Sequence, residues 1–311
     1  MLSPSLDKRF LKPENLEFKG FVTPDGVQHR YAVARVENAK GTIVLLHGFS
    51  EFIEKFFELI RDLNAAGYHV YSFDWRGQGK SARYFPDNIE QVYHDGFDKD
   101  AQNLRYFVET VVPHDLPRFA LAHSMGGHIT MLTLHAYPDL FQAAALSAPM
   151  VAFPLPYPRW LARIVLNVMR LFRLQKRTVG EGGHWRYKAP PLENDPRSRD
   201  PERRLVQYKW CEADEGLRMG DITFQWVYHA LKSVITLGDK GFLEGVKTPL
   251  LIGKAEMDQI VDNAAIDRAA RRLPNARVVT LKGAQHELLM ERDHIRDEFL
   301  SETLAFFEQN R

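Results

Sequence analysis

An α/β architecture is predicted: a mostly parallel eight-stranded sheet flanked by helices, with a mainly helical cap inserted after the sixth strand. Three observations predict it. Short β-rich apolar runs alternate with helical patterns along most of the chain. Eight such runs can be marked, at 16–22, 27–36, 42–46, 68–73, 118–122, 141–147, 248–253 and 276–281. The alternation lapses once, from about 151 to 240, a stretch too long to be a structureless loop.

Each element follows from local pattern. The first two runs read as a hairpin turning at Pro24-Asp25-Gly26. Residues 42–46, Thr-Ile-Val-Leu-Leu, form a buried strand. A helix over 52–66 stops before Gly67, a C-cap glycine, and the next strand is 68–73. Residues 97–112 are helical. The strand at 118–122 runs into His-Ser-Met-Gly-Gly and a helix to about Tyr137. The lapse opens on Pro154, Pro156 and Pro158, continues with an amphipathic helix over 159–174, and crosses a proline-rich polar segment before two more helical patterns. Helices near 263–273 and 294–309 accompany the last two strands, and Asp262 suits the N-cap of the first. The expected division is a core of 1–150 and 241–311 and a cap of 151–240.

Bulk composition narrows the class. The 311 residues are 45% hydrophobic and 26% charged, an ordinary globular balance. With 41 basic and 40 acidic residues the net charge is +1, so no nucleic-acid partner is expected. The single cysteine, Cys211, forms no intramolecular disulfide and requires no oxidising compartment. The opening residues lack the apolar run of a secretory leader. No run reaches the roughly 18 to 20 apolar residues of a spanning helix. The expectation is a cytoplasmic chain, at most peripheral at the inner membrane surface. The sequence carries no signal of oligomeric state.

The chemistry concentrates at Ala122-His123-Ser124-Met125-Gly126. A serine hydroxyl is a weak nucleophile and must be held exposed beside a general base. A sharp turn between strand and helix does this when small residues stand two positions before and after the serine. Alanine replaces the usual glycine at 122. The bland alternative is that Ser124 merely caps the following helix. The free N–H of Met125, at the helix N-terminus, can donate to a developing oxyanion. The loop after strand 42–46, His47-Gly48-Phe49-Ser50-Glu51, supplies the second donor, with Phe49 the candidate. Glu51 is either a loop support or a solvated carboxylate, and His47 reads as structural.

Chain order then selects the partners, acid before histidine. Asp258 follows strand 248–253 and His286 follows strand 276–281, both beyond the carboxyl ends of strands, where open α/β sheets bind ligands. His286 would accept the Ser124 proton, and Asp258 would orient the ring. Glu256 is the rival acid. Of the other histidines, His123 is expected to point away from the elbow and His128 to sit in the core or behind the site. Cys211 is the weaker candidate nucleophile.

These segments, with Phe73-Asp74-Trp75-Arg76-Gly77-Gln78-Gly79-Lys80-Ser81, Asp258-Gln259-Ile260-Val261 and Gly283-Ala284-Gln285-His286-Glu287, resemble the lysophospholipase L2 and monoacylglycerol lipase group of the α/β-hydrolase superfamily (serine aminopeptidase S33 type). The likeness runs from about residue 17 to 308. In the cap, Gly183-His184-Trp185-Arg186 and Ile222-Thr223-Phe224-Gln225-Trp226 lean toward lysophospholipase L2. The resemblance implies a serine hydrolase of monoacyl-lipid esters, a lysophospholipase or monoacylglycerol lipase. Ser124, Asp258 and His286 would be its triad and Phe49 and Met125 its oxyanion hole, with no metal or organic cofactor. The Asp74–Ser81 segment reads as a structural turn with an Asp–Arg pairing, since it lacks the lysine context of a phosphate loop.

Three questions stay open at this level. The basic amphipathic stretch 159–177 either packs its apolar face inward, lining an acyl pocket, or lies on an anionic membrane surface. The aromatic residues Trp185, Phe224, Trp226 and Tyr228 suit either a core or an acyl site. A general carboxylesterase, or a prolyl-type aminopeptidase using an acid such as Glu181, Glu212, Asp214 or Glu215, is the alternative activity. A hydrolase-fold binding protein without turnover is the third class, against which an intact triad argues.

Overall fold

The computed structural model describes residues 5–179 and 183–311, so the first four residues and Glu181 lie outside the described residues. The strands are β1 (Leu16–Val22), β2 (Gln28–Ala34), β3 (Gly41–Leu46), β4 (Tyr68–Phe73), β5 (Arg118–His123), β6 (Ala143–Ser147), β7 (Leu250–Ala255) and β8 (Ala276–Leu281). They form one sheet in the order β1-β2-β4-β3-β5-β6-β7-β8. β1 and β2 are a hairpin, β2 runs antiparallel to β4, and every pairing from β4 to β8 is parallel. The hairpin turns where Gly26 takes φ +80°, a conformation that costs glycine little.

Alternation along the central strands explains both layers. In β3, Ile43 and Leu45 face one core, with Val44 and Leu46 facing the other. The first core holds α1 (Phe57–Ala65) and α8 (Asp293–Gln309), through residues such as Phe57, Phe299 and Phe307. The second holds α2 (Phe97–Thr110), α3 (Met125–Ala136) and α7 (Asn263–Ala270), through Phe107, Ile129 and Ile266. Parallel strands buried on both faces need helices on both sides, as the sequence predicts.

Boundaries differ from expectation where a specific residue intervenes. The helix expected over 52–66 starts as a 3-10 turn, Ile53–Phe56, before α1. It ends as anticipated at Gly67, φ +86°. β7 begins at Leu250 rather than 248, because Pro249 has no N–H for the ladder and serves only as an acceptor for Ala144. Asp262 caps α7, its side chain accepting from the Ala265 N–H at 3.1 Å. Asp74 does pair with an arginine, but with Arg30 on β2. Arg76 instead reaches Asp95.

Between β6 and β7 lie α4 (Arg159–Leu171), α5 (Arg203–Ala213) and α6 (Phe224–Gly238). α5 joins the first core through Val206 and Trp210, whose ring meets Phe57 edge-on at 5.6 Å. α6 joins the second core through Trp226 and Ala230. α4 buries only Leu166. A buried guanidinium ties this segment to the core. Arg203 takes both oxygens of Glu58 on α1 at 2.7 and 2.8 Å, Asp200 at 3.0 Å and Asp293 at 2.7 Å.

Removing Arg203 would take from the buried Glu58 carboxylate its bidentate partner and leave Arg9, 3.5 Å away. Arg203→Met is expected to lose about 3–5 kcal/mol of stability, read as a lower urea midpoint. An unchanged midpoint would show that the clamp is energetically idle.

Candidate active site

Three strand ends converge on Ser124. The serine follows β5 with φ 50° and ψ −113°, a strained conformation for a residue with a Cβ. The turn holds because its neighbours leave no alternative. A Cβ on Gly126 would lie 2.7 Å from the carbonyl oxygens of both Leu46 and His47. One on Gly127 would meet Pro149 at 2.9 Å. Gly126 is therefore the position where the elbow and the end of β3 touch backbone to backbone. Ala122 is wholly buried within β5 and fits there as alanine, so glycine is needed after the serine and not before it.

His286, in the loop after β8, stands 2.9 Å from Ser124 Oγ through Nε2 and 2.7 Å from Asp258 Oδ2 through Nδ1. A carboxylate only accepts, so Nδ1 carries the proton and Nε2 is free to accept from the serine hydroxyl. Asp258 is fixed from its other oxygen, which accepts from the N–H groups of Ile260 at 2.8 Å and Val261 at 3.0 Å. Burial alone would raise the Asp258 pKa. Its bonds to His286 and those two N–H groups hold it below the usual carboxylate range. Glu256, the rival acid, accepts from Gly283 N–H instead.

The loop after β3 lies against the elbow. A Cβ on Gly48 would come 3.1 Å from Ser124 Cβ. Ser50 adopts φ 61° and is clamped on both sides. Its N–H donates to Gln78 Oε1, and its carbonyl accepts from Gln207 of α5 at 2.7 Å. Phe49, between them, is half-buried with its ring 4.5 Å from that of Trp226. Met125 is buried at the first position of α3, where the helix dipole favours negative charge.

Glu51 is buried, not solvated. It accepts from the Gly48 N–H at 2.5 Å and from Lys55 Nζ at 2.6 Å. Despite burial, which would raise it, Lys55 and His123 hold it at about 2. Lys55 also reaches Glu287, beside His286, at 2.7 Å. One buried cation thus joins the loop carrying Phe49 to the loop carrying His286. The segment between β6 and β7 supports the same loop, as the carbonyls of Pro196 and Arg197 accept from the His286 and Glu287 N–H groups. Sequence reasoning missed Lys55, Glu287 and Gln207. Only the Glu51–Lys55 spacing of four residues hinted at a pair.

The remaining candidates fall away from the reacting atoms, with one correction. His123 does not point away from the site, since its ring packs 4.8 Å from that of His286. Burial pushes it down to about 4, so it is neutral. His128 bonds Met150 O and Ser233 Oγ in the core. His47 is buried 3.4 Å from Asp74. Cys211 is buried, and that burial pushes its thiol up to about 12, which suits packing rather than attack.

Acid should find these histidines first. Burial lowers His123 and His128 to about 4 from an ordinary 6.5. Between those values the unfolded chain binds protons that the folded chain refuses. Stability present above 6.5 is therefore lost as pH falls toward 4. Urea midpoints should begin to drop near pH 6.5, and His128→Gln should flatten the slope. A slope indifferent to that substitution would contradict the assignment.

The chain is similar to known proteins. A family model described as "Serine aminopeptidase, S33" matches residues 37–293. Lysophospholipase L2 of Escherichia coli K12 is 30% identical over 313 residues, covering 96% of this chain and 88% of that protein. The probable lysophospholipase L2 of Haemophilus influenzae is 27% identical over 281 residues, covering 89% and 87%. A soluble variant of the Saccharomyces cerevisiae monoglyceride lipase, solved with a substrate analogue, superposes with a TM-score of 0.75 at 20% identity. It covers 99% of this chain and 100% of that one, a likeness of fold. The chain belongs to the serine aminopeptidase S33 family of α/β-hydrolases and is a serine hydrolase.

Proposed function

We propose that this enzyme hydrolyses the carboxylic ester of a monoacyl lipid, with Ser124 as nucleophile, His286 as base and Asp258 as the orienting acid. The observation that carries the reading is the hydrogen-bonded line Asp258–His286–Ser124, at 2.7 and 2.9 Å, ending on a strained elbow. Ser124 Oγ adds to the ester carbonyl and its proton passes to His286 Nε2. The carbonyl oxygen takes the negative charge, and the N–H groups of Phe49 and Met125 stabilise it. The intermediate collapses, the C–O bond to the glycerol side breaks, and His286 returns the proton to the departing alkoxide. Water, deprotonated by His286, then releases the fatty acid and restores Ser124.

The lipid substrate follows from the lysophospholipase L2 relatives, which match over nearly the whole chain. The aminopeptidase alternative needs an acid open to an α-amino group. Glu212, Asp214 and Glu215 are each already paired, with Lys209, Lys80 and Arg218. In this reading residues 151–240 are a cap over a core of 1–150 and 241–311. The cap both shapes the substrate site and braces the loops of Ser50 and His286.

The cap also meets the lipid surface in this reading. Trp160, Leu171 and Phe172 are 65, 77 and 67% exposed, and Ile164 and Val168 lie open beside them. Arg159, Arg163, Arg170 and Arg173 flank them, all exposed. An apolar face ringed by arginine suits an anionic bilayer surface. Among the described residues no helix is long and apolar enough to cross a membrane, so contact here would be peripheral.

Two experiments test the reading. Ser124→Ala should lower hydrolysis of lysophosphatidylcholine and monoolein by at least about 10⁴-fold with an unchanged circular dichroism spectrum, and near-normal turnover would refute the nucleophile. The same panel should show little cleavage of a prolyl anilide. In flotation with anionic vesicles, the unaltered protein should rise with the lipid. The Trp160→Ala/Leu171→Ala/Phe172→Ala variant should stay behind, and failure of the unaltered protein to float would sink the membrane contact.

A further inference from the structure

Beside the Phe49 loop, the cap and that loop form an open cleft of about 340 Å³ that the hydrolytic chemistry does not use. Phe49 and Ser50 form one wall, and Arg186, Lys188 and Arg197 contribute to the other. Its volume lies in the range of small-molecule sites, about 300–1,000 Å³. Three permanent cations line it against one carboxylate, Asp221.

The cations are not spent on one another's counter-ions. Arg186 and Lys188 are exposed, and neither makes an ion pair among the described residues. Arg197 is built in. Its Nε and Nη2 take Asp195 at 3.0 and 2.8 Å, and its guanidinium stacks 4.7 Å over the Tyr208 ring. Asp195 is shared with Arg204 and the Glu287 carboxylate also faces Arg197, so the unpaired positive charge of the lining is that of Arg186 and Lys188. The one acid in the lining, Asp221, already accepts from the Gly183 N–H. The fourth basic group, His184, is occupied by Glu90 at 2.8 Å.

We propose that this cleft binds the phosphodiester of a lysophospholipid headgroup, which makes the enzyme prefer lysophospholipids to monoacylglycerols. The inference rests on the monoacyl-lipid reading above and selects within it. In a lysophospholipid the ester and the phosphate are joined by one glycerol unit. With the ester carbonyl at Ser124 and Phe49, the phosphate must lie within a glycerol's length of that loop. Phe49 and Ser50, in that loop, form one wall of the cleft. A phosphate offers the delocalised anionic oxygens that guanidinium and ammonium groups recognise, whereas the free hydroxyls of a monoacylglycerol gain little from three cations.

The test compares lauroyl lysophosphatidylethanolamine with monolaurin, both kept below their micelle concentrations so that no charged surface contributes. In the Arg186→Ala/Lys188→Ala variant, the ratio of kcat/KM for the phospholipid to that for the glyceride should fall at least about tenfold. The charge-keeping Arg186→Lys/Lys188→Arg variant should retain most of the ratio. Raising salt should lower it in the unaltered enzyme. Hydrolysis of both lipids with a ratio untouched by the alanine variant overturns the headgroup site alone. Hydrolysis of neither lipid by the unaltered enzyme overturns the substrate reading beneath it. A ratio that falls only on vesicles, and not with monomeric substrate, assigns the cations to the membrane and overturns the proposal.

Discussion

The approach of two backbones at Gly126 sets the geometry on which the rest of the site depends. A methyl group there would press against the carbonyl oxygens of Leu46 and His47 at 2.7 Å. The elbow after β5 and the loop after β3 can therefore sit together only around a residue with no side chain. Ser124 takes a positive φ, and Gly48 has its own close neighbour in Ser124. The strain is local, and close packing of the surrounding sheet over-determines it. Ser124 and the Phe49 loop are thereby brought into contact by the fold itself.

A second constraint is electrostatic. Lys55 is buried between Glu51 and Glu287, and each carboxylate belongs to a different loop of the site. Burying one cation between two anions is costly unless every group finds partners. Here Glu51 also takes the Gly48 N–H, and Lys55 extends to Gln207 at 3.3 Å. The same Gln207 holds the Ser50 carbonyl. Position in the Phe49 loop, position in the His286 loop and docking of α5 are thus parts of one buried network.

That network changes how the inserted segment is understood. α5 and α6 are built into the two cores, and Arg203 anchors the segment to α1 and α8. Only α4 leaves its apolar side open. The segment therefore divides by role. Its α5 side braces the loops of Ser50 and His286, its outer helix is free to meet a surface, and its basic residues line a cleft beside the Phe49 loop. A segment so divided can shape the substrate site without loosening it.

Fold class and the four strand-end positions of Phe49, Ser124, Asp258 and His286 were legible in the chain. Strand alternation, helix period and the elbow signature are local patterns, and hydrophobic burial enforces them wherever they occur. Chain order then limited the candidate acid and base to two loops. The partners of each charge were not legible. Asp74 takes Arg30 rather than a neighbour in its own turn, His123 packs on His286, and Glu287 meets Lys55. The exposure of α4 was equally hidden, because an amphipathic pattern does not say whether its apolar side meets protein or solvent. Sequence by itself determined the elements and the reaction class, since these depend on residue type at short spacing. Tertiary structure alone decided the charge pairs and the open face. The charge pairs join residues distant in the chain, as Lys55 and Glu287 are, and only packing brings such groups within hydrogen-bond reach.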